Sequence, residues 1–251
     1  MEKAPCRLLE WDSSFFGHRI AVVESKYLTS LQVKDALDWC RNNRIRCLYF
    51  LSAPDDDRSV YEAESNGFHL VDLRVELLWR KPPSDIKASF NAEVRPLGKG
   101  DRETLLEIAQ SAHPSTRFYF DKHFTTKQAS SLYRTWLAKA CDDEAQQVFV
   151  SDKDGEVVGY VTCHLESDRQ GSIGLIGVSS KARGSGVGSS LVMGALQHFT
   201  SHEITEVRVV TQGRNLVAQK LYQNCGFRTN QIYMWYHKWF DGADLDGKSR
   251  D

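Results

Sequence analysis

The chain has 251 residues, 41% of them hydrophobic, and carries a formal net charge of −1 at pH 7. This length accommodates one large domain or two small ones, with enough apolar side chains for a packed core. The near-neutral charge gives no electrostatic reason to expect nucleic acid or an anionic membrane surface as a partner.

Patterns for membrane insertion, export and metal binding are absent from the sequence. No apolar run reaches the roughly 18 residues that a membrane-spanning helix needs. The first residues lack the apolar core of a signal peptide, so we expect a cytoplasmic protein. The six cysteines form no C-x-x-C pair, and the sequence therefore predicts no metal site.

The first third of the chain contains alternating helix and strand patterns. Apolar residues at helical spacing predict a helix over residues 31–42, and the apolar run 47–51 predicts a strand. A second helix is predicted over residues 60–66. After Gly67 and Phe68, residues 70–79 have the composition of another strand.

Two adjacent prolines, Pro82 and Pro83, stand among charged residues and are typical of a linker. We therefore expect a small β-α-β domain over residues 1–82, a linker over 83–92 and a second domain over 93–240. Residues 241–251 are polar and without periodicity, which predicts a disordered tail.

A candidate substrate pocket lies near the start of the second domain. A helix is predicted over residues 101–112, and the segment 113–121 after it combines aromatic side chains with an arginine and an acid. Its candidate residues are His113, Arg117, Phe118 and Tyr119. The rings would stack on a base or sugar ring and Arg117 would contact a diphosphate. The alternative is a packed loop with a solvated arginine.

The most informative segment is Arg183-Gly184-Ser185-Gly186-Val187-Gly188. A predicted strand over residues 173–178 precedes it, and a predicted helix over 189–198 follows it. A glycine-rich turn between a strand and a helix directs backbone N–H groups and the positive end of the helix dipole at one small volume, which suits a phosphate. The glycine spacing does not match a dinucleotide fingerprint, and no lysine completes a P-loop. The alternative is a plain glycine-rich turn.

The rest of the second domain has the order strand, helix, strand. A strand is predicted over residues 206–211, a short helix over 216–224 after Asn215, and an aromatic strand over 232–239. Gly226 stands near the expected C-cap of the short helix.

Two motifs resemble those of the GCN5-related N-acetyltransferases (GNAT). The R-x-x-G-x-G spacing at Arg183 resembles the loop that binds the acetyl-CoA pyrophosphate in that family. The second signature is an Asn that starts a short helix, a Tyr within it and Gly-Phe after it; the matching residues are Asn215, Tyr222, Gly226 and Phe227. The resemblance spans roughly residues 93–239. It implies an α/β (α+β) GNAT fold, a mixed twisted sheet with flanking helices, preceded by the smaller β-α-β domain.

The N-terminal segment gives two further resemblances. Its order of elements is similar to that of the C-terminal half, so it is either a degenerate half-copy of the GNAT fold without a cofactor loop or a chance likeness. Trp11 and the following Asp-x-x-Phe-Phe-Gly resemble the start of the bacterial TDP-fucosamine N-acetyltransferases. Those enzymes acetylate the 4-amino group of a dTDP-linked 4-amino-4,6-dideoxyhexose for polysaccharide biosynthesis. Phe15 and Phe16 are alternatively core residues.

The resemblance implies acetyl-CoA as co-substrate and a set of residues that bind it. These are Leu175, Ile176, Gly177, Val178, Arg183, Gly184, Ser185, Gly186, Val187, Gly188, Ser189 and Asn215, with Arg214 as a further cation. Residues 175–178 would be splayed from residues 207–211, so that the pantetheine arm pairs with the freed backbone. Tyr222 matches the general acid that protonates the leaving thiolate.

Several assignments stay open. His113, His164 and Glu166 are alternative candidates for the general base. The acceptor is a nucleotide-linked amino sugar, or another amine such as a protein N-terminus, a polyamine or an aminoglycoside. A non-catalytic acyl-CoA sensor is the non-enzyme alternative. The resembling enzymes suggest a homodimer.

Overall fold

The first part of the chain alternates strands and helices of 3 to 13 residues. The computed structural model describes residues 4–80, 92–153 and 155–241. The first elements are β1 (Cys6–Leu8), α1 (Glu10–Phe16), β2 (Ile20–Val23), α2 (Ser30–Asn42), β3 (Cys47–Ser52), α3 (Asp57–Ser65) and β4 (His69–Arg80). The predicted linker and tail lie outside the described residues, apart from Ala92 and Asp241.

The later elements are β5 (Glu93–Pro96), α4 (Arg102–Ala112), a 3₁₀ turn (Arg117–Tyr119), α5 (Thr126–Asp142), β6 (Gln146–Lys153), β7 (Glu156–Leu165), β8 (Gln170–Val178), a 3₁₀ turn (Ser180–Ala182), α6 (Val187–Ser201), β9 (Glu206–Gln212), α7 (Leu216–Asn224) and β10 (Arg228–Trp239). The chain forms two compact units. Unit 1 comprises Met1–Arg74 and Ile232–Asp251, and unit 2 comprises Val75–Gln231. The domain border predicted at residue 82 falls within residues 81–91, which lie outside the described residues, and the border predicted at residue 93 follows shortly after them. Both borders stay a prediction.

Unit 1 contains a sheet with helices packed on it. β1 pairs antiparallel with β2, β2 parallel with β3, and β3 antiparallel with β10. The core includes Val33, Ala36 and Cys40 from α2, together with Phe50 and Tyr236 from the sheet. These α2 residues recur at the helical spacing that predicted the helix. The aromatic C-terminal strand thus completes the sheet of the N-terminal unit.

Unit 2 contains a mixed sheet with strand order β4-β9-β8-β7-β6-β5. The strands from β5 to β8 pair antiparallel, whereas β8 and β9 pair parallel. α6 and α7 contribute to one hydrophobic cluster, and α4 and α5 to a second one with β6 and β7. This mixed sheet with flanking helices confirms the predicted fold class. In the described part of the chain, no helix combines the length and apolar character needed to cross a membrane.

The predicted elements are all present, and α7 has the predicted bounds. α6 begins two residues earlier than predicted, because Gly186 adopts the left-handed conformation (φ 87°) directly before it. The sequence analysis did not predict α1, α5, β1, β2, β5, β6 or β7. α5 is a 17-residue helix that a capping box opens, with Thr125 and Gln128 bonding each other's backbone N–H groups. That capping pattern was a signal in the sequence.

Candidate active site

The glycine-rich loop has the geometry of an anion site. Gly184 and Gly186 have φ values of +78° and +87°, which residues with a Cβ rarely adopt. Gly186 is the N-cap of α6, and no side chain caps the helix. As at any helix start, the N–H groups of the first turn have no carbonyl partner within the helix. They and the helix dipole therefore offer hydrogen bonds and positive charge to an anion.

Close packing joins this loop to α7. A Cβ at Gly188 would lie 3.2 Å from Leu221 Cδ2 and 3.9 Å from Val178 Cγ2. Val187 is buried in the core, and the Cys225 thiol hydrogen-bonds Ser189. Ser185 donates its hydroxyl to the Ala182 carbonyl at 2.8 Å. The loop, the start of α6 and the end of α7 are thereby held together.

β8 separates from β9 next to this loop. Their pairing runs from Gln170 opposite Glu206 to Ile173 opposite Val209, and no pair follows within these two fully described strands. On its other edge β8 stays paired with β7, with a bulge at Gly174 and Leu175. The bulge is fixed by a hydrogen bond from the Leu175 N–H to the Thr162 hydroxyl at 2.9 Å. The end of β8 therefore keeps a free edge toward β9.

The four residues predicted to line the pantetheine arm lie at this end of β8. Ile176 and Val178 are partly buried against the α6 cluster, and Leu175 packs against the α4 and α5 cluster. At Gly177 an added Cβ would lie 2.5 Å from Cε1 of Tyr160, so the tyrosine ring lies directly against the backbone. Only glycine fits at this position without displacing the ring.

Tyr222 lies in α7 with 2% of its surface exposed, and its ring centroid is 5.6 Å from that of Phe227. Burial, and secondarily the nearby Cys225, raise the pKa of the Tyr222 phenol above its ordinary value. The phenol therefore keeps its proton at neutral pH. Asn215 is the N-cap of the same helix, and its Oδ1 accepts the Ala218 N–H at 3.2 Å.

Two arginines flank these elements. Arg183 Nε donates to the Val178 carbonyl at 3.4 Å, and the charge of Arg183 contributes to lowering the pKa of His113. Arg214, which precedes Asn215, places its guanidinium carbon 3.7 Å from the ring centroid of Phe120. Phe120 itself is 55% exposed. A cation on an exposed aromatic ring is suited to a ligand with both a ring and an anionic group.

The predicted substrate loop is partly buried. Phe118 is 1% exposed and packs edge-on against Phe124, with ring centroids 5.1 Å apart. The guanidinium carbon of Arg117 lies 4.4 Å from the Phe118 ring centroid. Burial raises the pKa of Tyr119, and a hydrogen bond with Ser130 opposes that shift. Phe118 thus has a packing role, and Phe120 is the ring in this loop that is open to a ligand.

The three candidate bases differ in their surroundings. Desolvation, and then the charge of Arg183, lower the pKa of His113 to about 3, so this imidazole is a weak base. Burial acts to raise the pKa of Glu166, but hydrogen bonds with Ser172 and Arg208 outweigh it and lower that pKa. His164 lies beside the bulge of β8, where a Cβ at Gly174 would be 3.6 Å from its Cδ2 and 3.8 Å from its Nε2.

Sequence reasoning named His164 of β7 as a candidate base but missed Tyr160 and Thr162, which lie on the same strand. Tyr160, Thr162 and His164 alternate along Glu156–Leu165 and therefore point to the same face of the sheet. The Tyr160 hydroxyl forms a hydrogen bond with His113, and the Thr162 hydroxyl accepts the Leu175 N–H at the bulge of β8. The alternation of residues 157–164 was the signal that would have placed them together.

The chain resembles known acetyltransferases in sequence. Residues 102–227 match the model of the acetyltransferase (GNAT) family. The dTDP-fucosamine acetyltransferase of Escherichia coli O6:H1 is 24% identical over 239 residues, which cover 94% of this chain and 99% of that protein. The spore coat polysaccharide biosynthesis protein SpsD of Bacillus subtilis is 26% identical over 147 residues, 59% of this chain. The chain spans half the length of that second relative.

A solved structure shows the same fold. The GCN5-related N-acetyltransferase from Sphaerobacter thermophilus superposes with a TM-score of 0.65 at 16% identity, covering 93% of this chain and 76% of that one. The family match covers half of the present chain, including α4, β8, the glycine-rich loop and α7. The chain therefore belongs to the GNAT family, acyltransferases that use acetyl-CoA as their co-substrate.

Proposed function

We propose that this protein transfers an acetyl group from acetyl-CoA to the 4-amino group of a dTDP-linked 4-amino-4,6-dideoxyhexose. The observation that carries the proposal is the similarity to dTDP-fucosamine acetyltransferase along 94% of the chain, unit 1 included. The match to a polysaccharide biosynthesis protein agrees with a sugar substrate. The cytoplasmic location and the homodimer predicted from sequence belong to the same proposal.

The residues of unit 2 fit acetyl-CoA. In the proposal, the uncapped N–H groups at the start of α6 bind the pyrophosphate, with Arg183 as a nearby cation. The pantetheine arm lies along the free edge of β8 beyond Ile173, as an added strand would. Arg214 over the exposed ring of Phe120 supports an acceptor that has both an anionic group and a ring, as a nucleotide sugar does.

Within this scheme, Tyr222 protonates the CoA thiolate and His164 removes the proton of the attacking amine, directly or through water. His164 is favoured over Glu166 because an ion pair with Arg208 at 2.8 Å stabilises the Glu166 carboxylate and makes it a poorer base. It is favoured over His113 because its ring lies at the bulge of β8, next to the edge where the thioester would bind.

Replacing His164 with Ala is expected to lower kcat/KM for the acceptor about 10²-fold at pH 7, the usual contribution of a general base. The loss should shrink as the pH rises, because a growing share of the amine is then deprotonated in solution. The measurement is the pH profile of kcat/KM between pH 6 and pH 10.

The matched control is Glu166→Gln, which changes a neighbouring residue and should keep the wild-type profile. A loss in His164→Ala of the same size at every pH would assign His164 to packing rather than to proton transfer.

The acceptor is identified by CoA release from acetyl-CoA with a panel of amines. The panel contains dTDP-4-amino-4,6-dideoxygalactose, its gluco epimer, spermidine, a peptide with a free N-terminus and an aminoglycoside. We expect a kcat/KM for one of the two nucleotide sugars at least tenfold above that of the other classes, and the epimer ratio then identifies the sugar. A higher kcat/KM for the polyamine, peptide or aminoglycoside would reject the sugar assignment and leave the family unaffected.

A further inference from the structure

One pair of side chains next to the cofactor strand, the half-buried His113 and the buried Tyr160, has no role in the scheme above. His113 is the C-cap residue of α4, and its Nε2 lies 2.9 Å from the hydroxyl oxygen of Tyr160 on β7. The His113 ring stacks on Tyr133 of α5 with centroids 3.9 Å apart and an interplanar angle of 12°. Tyr160 has no exposed surface. The pair thus joins α4, α5 and β7.

The hydrogen bond fixes where the protons lie. A buried phenol O–H requires an acceptor, and His113 Nε2 is the one hydrogen-bond partner of Tyr160 among the described residues. Tyr160 therefore donates to Nε2, which leaves the imidazole proton on Nδ1. Burial, with smaller effects of Tyr133 and Cys141, raises the pKa of Tyr160, so its phenol stays protonated.

The surroundings keep the imidazole neutral. The groups that face it are Tyr160 on β7, Tyr133 on α5 and the positive charge of Arg183 after β8. No acid stabilises a charged imidazole among the causes that shift the His113 pKa, which falls to about 3. His113 is therefore a hydrogen-bond donor through Nδ1–H, and that N–H has no hydrogen-bond partner in the described part of the chain.

The pair also lies against the strand that would hold the thioester. The Tyr160 ring packs on the backbone of Gly177, and its hydroxyl oxygen would be 2.9 Å from a Cβ at that glycine. Gly177 belongs to the end of β8 that is free of β9. With Arg183 nearby, this region attracts electronegative oxygen atoms and repels an ammonium group.

We propose that His113 binds an oxygen atom of the acceptor through its Nδ1–H, and that Tyr160 is the positioning residue that holds this tautomer. His113 is then a specificity-determining donor for the acceptor and takes no proton from its amine. This inference rests on the proposed function for the identity of the acceptor, although the tautomer itself does not depend on any substrate.

The first test is nitrogen-15 NMR of the full chain, labelled at histidine and without substrate. Wild-type His113, assigned by its absence in His113→Asn, should have a protonated Nδ1 and an unprotonated Nε2 and should not titrate between pH 5 and 8. In Tyr160→Phe, Nε2 loses its donor and the resonances should move to a mixture of tautomers. The control is Tyr236→Phe, which removes the hydrogen bond of a buried tyrosine to Glu64 in unit 1 and should leave His113 unchanged.

The second test separates a donor from a base. An Asn amide places an N–H near the position of Nδ1 but cannot accept a proton. With the acceptor sugar, His113→Ala should raise the acceptor KM about tenfold, the loss of one hydrogen bond, with kcat and the acetyl-CoA KM unchanged. His113→Asn should recover most of that loss.

Equal losses of kcat in His113→Ala and His113→Asn would overturn the donor role, and so would a wild-type His113 that carries its proton on Nε2 or titrates between pH 5 and 8. If no amine in the panel is acetylated, the proposed function fails. The tautomer of His113, and its change in Tyr160→Phe, are still tested by NMR, because that experiment needs no substrate.

Discussion

Replacing Tyr222 with Phe is expected to lower kcat about 10²-fold to 10³-fold while the acetyl-CoA dissociation constant changes little. The phenol is buried and its pKa is raised, so wild-type Tyr222 carries a proton to donate throughout the physiological range. The variant keeps the ring that packs on Phe227 and loses only the oxygen. The measurements are steady-state CoA release and equilibrium binding of acetyl-CoA.

The pH dependence provides a second check. Because the raised pKa keeps the phenol protonated, wild-type kcat should not fall through loss of this acid until the pH exceeds its ordinary value of about 10. The control is Tyr236→Phe, which changes a buried tyrosine of unit 1 and should keep full activity. Comparable kcat values in Tyr222→Phe and wild type would mean that the thiolate leaves without this acid.

Replacing Gly186 with Val is expected to weaken acetyl-CoA binding about 10²-fold. Gly186 has a φ of +87° at the start of α6, a conformation that a β-branched residue resists. The loop must then rearrange, and the N–H groups of the first turn lose the alignment that the proposed pyrophosphate site requires. Hydrogen bonds to a charged group contribute about 1.5–3 kcal/mol each, so losing one or two accounts for that change. Isothermal titration calorimetry with acetyl-CoA measures it.

The matched control is Gly17→Val. Gly17 also has a positive φ, +72°, follows α1 in unit 1 and has open space around it. Both variants should lose about 1–2 kcal/mol of folding free energy through the same backbone strain, but only Gly186→Val should lose affinity. Unchanged acetyl-CoA affinity in Gly186→Val would remove the loop from the cofactor site.

The features predicted best are those that depend on neighbouring residues alone. Helical periodicity and a capping Asn215 placed α7 at its observed bounds, Leu216–Asn224. The glycines placed the turn between β8 and α6, and Gly184 and Gly186 adopt positive φ values there, because that conformational freedom is a property of the residue itself. The fold class followed from the same local patterns together with the family motifs.

The sequence by itself therefore determined the fold class, the family and the position of the glycine-rich loop. The tertiary structure decided which side chains of the candidate site contact each other and which are shielded from solvent. His113 and Tyr160 are 47 residues apart in the chain and meet only after α4 packs on β7. Desolvation then lowers the pKa of the candidate base His113, and hydrogen bonds with Ser172 and Arg208 lower that of Glu166. The hydrogen-bond partners of these side chains, and the residues that exclude solvent from them, are distant in the chain. They therefore cannot be predicted from composition or from the spacing of residues.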